Sequence, residues 1–214
     1  MTSINPPRDG KNDWLLTPEN SVMVFIDYQN VQLETMRSSS NWEIMQNVVS
    51  MAHLGKAFNI PIILSTVNVS NGQNGDTFPE LKEALSGVKS YDRTSINAWE
   101  DADFKAAIEA TGRKKLIMMA LWTEACLTFP SIDAIREGYE IYAVSDAVGG
   151  TSKNNHDMGL RRIEQAGGIM TSTSQVATEL QRDWNRRETV PDFAKILVGT
   201  GAFVKIGSPE PKTD

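Results

Sequence analysis

Two periods of apolar residues alternate along this chain. Short continuous apolar runs read as buried strands: SVMVFID at 21–27, IPIILSTVNV at 60–69, KKLIMMAL at 114–121 and YEIYAVSDAVGG at 139–150. Pro61 stands at the start of one of them, where a missing N–H is tolerated. VKSYDRTSI at 88–96 and GIMTST at 168–173 are weaker strand candidates. Helical spacing fills the gaps. Trp42, Met45, Val48, Val49 and Ala52 fall on one face of a helix over 41–58. Further helices are predicted at 78–85, 101–112, 123–138, 154–167 and 174–187, with Gly112 and Gly138 as stops.

Strands alternating with helices imply an α/β protein with helices on both faces of a mostly parallel six-stranded sheet. Right-handed crossovers make it a doubly wound, Rossmann-like three-layer sandwich. Residues 1–20, polar and rich in proline, read as an N-terminal arm; residues 21–189 form the domain, and 190–214 read as a C-terminal extension. The 214 residues suffice for a substantial core.

Charge changes the picture mainly by exclusion. The formal net charge of −6 leaves no electrostatic footprint for nucleic acid. Arg182, Arg186 and Arg187 stand among Asp183 and Glu188 and read as a solvated helix face. No apolar run approaches membrane-spanning length, and the polar first residues lack a signal-peptide core. A single cysteine excludes an internal disulfide and fits a reducing compartment, so the expected location is the cytoplasm. No glycine-rich phosphate loop follows any strand, and no cofactor is expected.

Ligands of open α/β sheets bind outside the carboxyl ends of the strands. Three reactive residues fall there. Asp27 ends the first strand; as a plain structural residue it would cap a loop, and as a functional one it would act as a general base. Arg93 lies in or just after the third strand. It would either pair on the surface with Asp92, Glu100 or Asp101, or supply a fixed cation to the site. Cys126 is either a small core residue or a nucleophile. With Thr123 as helix cap, Cys126 becomes an early helical residue, where free N–H groups favour a thiolate and can hold an oxyanion. Trp99 and Trp122 are candidate pocket walls.

SVMVFIDYQN, a basic residue upstream of INAW, and LWTEACLTFPSIDAIREGYEIYAVSDAVGGTS together resemble the isochorismatase-like cysteine hydrolases, with most likeness to the YcaC-like branch. The resemblance covers roughly residues 20–187 and is most specific over 121–151. It implies a catalytic Asp27, Arg93 and Cys126, a cis peptide at Leu121–Trp122, and an oxyanion hole built from the backbone N–H groups of Trp122 and Cys126. Two departures matter. Arginine stands where lysine is usual, and it cannot exchange its proton at neutral pH. The stretch STVNVSNGQNGD has Asp76 but lacks the histidines of the metal-binding nicotinamidase branch, and His53 and His156 lie in predicted helices.

The expected function is therefore metal-independent hydrolysis of a small-molecule C–N bond of amide type through a thioester on Cys126. The partners expected are a small-molecule substrate and further copies of the chain, as homo-oligomers are common among such relatives. The rival reading is a catalytically silent member of the fold that serves binding or assembly, to which the arginine departure gives weight.

Overall fold

A computed structural model describes residues 8–199. Six strands form one sheet, β1 (Ser21–Ile26), β2 (Ile62–Val67), β3 (Ser90–Arg93), β4 (Lys115–Ala120), β5 (Glu140–Val144) and β6 (Ile169–Thr171), in the order β3-β2-β1-β4-β5-β6. Every pairing is parallel, so the expected doubly wound α/β sheet is present without an antiparallel strand. β1 and β4 lie side by side at the centre, where both faces are covered, and all their residues are buried. The edges explain the weaker sequence signals: β3 (SYDR) and β6 (IMT) are short and partly exposed.

The helices are α1 (Asn30–Thr35), α2 (Asn41–Ala57), α3 (Pro79–Ala84), α4 (Ala102–Glu109), α5 (Thr128–Arg136), α6 (Lys153–Gln165), α7 (Thr173–Gln181) and α8 (Val190–Gly199). Serines start three of them. Ser40, Ser152 and Ser172 accept from the backbone N–H groups of Glu43, Asn155 and Gln175, satisfying donors a helix leaves open. α2 packs close to the sheet at Gly55, where a Cβ would stand 2.8 Å from the sulfur of Met23.

The described part of the arm is tied down rather than loose. Leu16 is fully buried, Lys115 Nζ donates to Trp14 O (2.7 Å), and Arg182 pairs with the buried Asp13. Arg182 is thus not on a solvated helix face as the charge pattern suggests; α7 stops at Gln181, and Arg182 turns with φ 54°. α1 falls in a stretch the periodicity leaves unassigned. Within 190–214, residues 190–199 form α8, which packs on α2 and α7 through Phe193, Ile196 and Leu197; the rest lies outside the described residues. No described helix is long and apolar enough to cross a membrane.

Candidate active site

The central pair of strands delivers two of the three candidates. Ile26 of β1 pairs with Ala120 of β4, so Asp27 and the turn after β4 leave the sheet together. Asp27 sits in the left-handed region at φ 60°, which is uncommon for a residue with a side chain. Its N–H donates to Ser65 O (3.0 Å) and its side chain is fully buried.

Arg93 arrives from β3, with β2 between it and β1. Strands lie about 4.8 Å apart, so the side chain spans roughly 10 Å, within the reach of arginine's long stem. Its Nη1 and Nη2 each donate to a different oxygen of Asp27 at 2.7 Å. Nη1 also donates to Ser65 Oγ (3.0 Å) and Thr66 O (3.1 Å), and Nη2 to Ile96 O (3.1 Å). The side chain is only 1% exposed, and among the described residues its Nε has no partner. The surface pairing considered from sequence does not occur. Asp92 instead accepts from Thr66 Oγ1 and from Val69 and Ser70, and Asp101 caps α4 through Phe104 N. A buried pair of this kind is costly to desolvate and is held by its bidentate geometry and the extra hydrogen bonds.

Cys126 lies in a π turn, Thr123–Leu127, that leads into α5. The residue before the turn is Trp122, not a threonine cap; the Thr123 hydroxyl pairs instead with Nδ1 of His156 (2.8 Å). The expectation that the helix start favours a thiolate is also overturned. Burial pushes the thiol well above its ordinary range. The adjoining Asp27 carboxylate pushes it the same way. The Arg93 cation and the Trp122 N–H act in the opposite sense but do not prevail. The resting group is a neutral thiol beside a carboxylate.

The Leu121–Trp122 peptide is cis. The Trp122 indole is half-buried beside the cysteine turn, with Nε1 donating to Gln32 O and Thr35 Oγ1 on α1, each at 3.1 Å. Trp99 does not form a pocket wall. It is 5% exposed and packs edge-on against Phe104 (ring centroids 6.5 Å) and against Tyr139 (5.3 Å), which precedes β5 at the opposite, amino edge of the sheet. The structure thus brings together Asp27, Arg93, Cys126 and Trp122, and leaves Trp99 in the core.

Sequence reasoning missed the residues that hold these groups. Ser65 is buried; it accepts from Arg93 and donates to Tyr91 O (2.9 Å). Gln29 is fully buried, accepts from Val67 N (2.9 Å) and donates to Val67 O (3.0 Å) and Gly75 O (2.6 Å), clamping the loop after β2 to the exit of β1. The signal available was the polar run directly after the buried FID. Among the described residues, no three His, Cys, Asp or Glu side chains converge in a metal-binding arrangement.

A family model, the isochorismatase domain, matches residues 21–175. The probable hydrolase YcaC of Escherichia coli strain K12 is 32% identical over 200 residues, covering 89% of this chain and 96% of that protein. Among solved structures, YcaC of Pseudomonas aeruginosa, with hexane-2,5-diol and covalent acrylamide, superposes with a TM-score of 0.81 at 35% identity; 87% of this chain and 91% of that one are covered. Escherichia coli YcaC, an octameric hydrolase of unknown specificity, gives a TM-score of 0.78 at 31% identity over 89% of this chain and 98% of that one.

Proposed function

This chain belongs to the isochorismatase domain family of hydrolases, and from that premise we propose that it hydrolyses a small-molecule C–N bond of amide type with Cys126 as nucleophile. The observation that carries this reading is the fully buried Asp27 carboxylate, oriented by both terminal nitrogens of Arg93 and close enough to the Cys126 thiol to oppose its ionisation.

The chemistry follows from that arrangement. Asp27 takes the thiol proton as sulfur attacks the acyl carbon, so no free thiolate has to persist beforehand. The carbonyl oxygen becomes an oxyanion held by the backbone N–H groups of Trp122 and Cys126. The C–N bond breaks, the nitrogen receives the proton from Asp27, and the amine leaves. Water then gives a proton to Asp27 and attacks the thioester. The C–S bond breaks, the acid departs, and the proton returns to sulfur. Arg93 orients Asp27 and balances charge, and no proton passes through it. No step requires a metal. The reading places the protein in a reducing cytoplasm as a homo-oligomer, in keeping with its octameric relative.

The test is a panel of small amides assayed for acid release, with mass spectrometry of the protein. The expected result is turnover with at least one member, an acyl adduct on Cys126, and loss of both in Cys126→Ala. Turnover that survives Cys126→Ala would remove the reading. Light scattering at micromolar concentration checks the assembly; a monomer mass would refute it.

A further inference from the structure

The segment that presents Cys126 is held from the side facing α6. Thr123, immediately after Trp122, is fully buried, and each of its polar groups has a partner. Its N–H donates to Gly149 O (2.9 Å), its carbonyl accepts from Thr128 Oγ1 (2.6 Å), and its hydroxyl meets His156 Nδ1 at 2.8 Å. The next residue is fixed from the same side, because Glu124 Oε1 accepts from Thr151 N (3.0 Å) and Thr151 Oγ1 (2.5 Å). α6 approaches so closely that a Cβ on Gly159 would stand 3.0 Å from Thr123 O. Of these contacts, the one from His156 is the only one made by an aromatic ring able to act as donor or acceptor.

We propose that His156 is a positioning residue for the nucleophile: its neutral ring accepts the Thr123 hydroxyl proton at Nδ1 and thereby keeps the Trp122–Cys126 turn in register with Asp27. The inference rests on the reading of Cys126 as the reacting group. The Trp122 N–H favours the ionised form of the sulfur. Thr123 is the residue joining that N–H to the turn. Losing its side-chain anchor frees the turn by a fraction of an ångström, and displacements of that order at reacting atoms carry large rate penalties. Burial holds His156 below its ordinary value, which keeps the ring neutral and able to accept at neutral pH.

The test measures the rate of Cys126 alkylation by iodoacetamide at pH 9, with Cys126→Ala as background and thermal melting as a check of fold. It needs no substrate, so the outcome is separate from whether amides are turned over. His156→Leu and Thr123→Val are each expected to slow alkylation about fivefold or more, and the double variant no further, since both remove one bond. His156→Asn places an acceptor oxygen close to the position of Nδ1 and is expected to recover most of the parent rate, which a loss of mere bulk would not predict. A folded His156→Leu protein that alkylates like the parent overturns the proposal. So does full additivity of the two single losses, or failure of His156→Asn to recover any rate.

Discussion

Replacing Asp27 with Asn separates the two roles given to its carboxylate, because they oppose each other. At rest burial and the adjoining negative charge keep the thiol protonated. In turnover the same group removes the proton. Asparagine is nearly isosteric, abolishes the charge, and leaves the Arg93 cation facing the sulfur alone. Two unit charges about 4 Å apart interact by about 4 kcal/mol at an effective dielectric of 20, roughly a thousandfold in an ionisation equilibrium. Relaxation around the freed guanidinium reduces that, so alkylation by iodoacetamide at pH 8 should accelerate by about a hundredfold. Amide hydrolysis should meanwhile fall by about a thousandfold or more, since the base is gone. Arg93, with its side chain 1% exposed, loses its counter-charge, at a cost of about 3–5 kcal/mol. Melting must therefore show a folded variant before rates are compared. A folded Asp27→Asn protein whose cysteine alkylates no faster than the parent's would refute the electrostatic account of the site.

Other outcomes follow from the same contacts. Arg93→Lys keeps the charge but not the fork, because one ammonium cannot reach both Asp27 oxygens together with Ser65 Oγ, Thr66 O and Ile96 O; turnover should drop by roughly tenfold to a hundredfold, and Tm by several degrees. The folded state holds the Cys126 proton beyond the pH at which the unfolded chain releases it, near 9.0. Native protein therefore binds the extra proton, and denaturation midpoints of the parent should fall relative to Cys126→Ala above that pH, by about 1.4 kcal/mol per pH unit; parallel curves for the two proteins would contradict the burial argument. Gly159→Ala places a methyl 3.0 Å from Thr123 O and Thr128 Oγ1 and 3.1 Å from Glu124 Cα. It should cost about 1–3 kcal/mol in urea titration and slow alkylation of Cys126.

Sequence patterning makes the centre of this fold legible because β1 and β4 are buried on both faces and must be uninterrupted apolar runs. It loses resolution at the edges. β3 contributes only one fully buried residue, Arg93, so its pattern carries no apolar alternation. The positions of Asp27 and Cys126 follow from strand ends, and from the likeness of the segment over 121–151. The bond from Arg93 to Asp27 does not, since residues 66 apart meet only through the order of strands. The thiol's ionisation is not legible in the sequence for a related reason. A helix start argues for a thiolate, but burial and an adjoining carboxylate are tertiary facts and outweigh it. Gln29 and α1 leave little sequence signal because six helical residues following a tight turn give too short a window for a periodicity to emerge.

The placement of Arg93 on an outermost strand ties the proposed site to an edge of the sheet. β3 is four residues long and has β2 as its sole neighbour in the sheet. Segments of this kind fray at free energies well below that of global unfolding. Each fraying event withdraws the guanidinium from Asp27 while the core around β1 and β4 stays intact. Heating is therefore expected to abolish hydrolysis before the protein melts. Amide protons of residues 90–93 are expected to exchange with solvent sooner than those of 115–120, and the temperature at which activity fails is expected to track that local opening rather than the calorimetric transition.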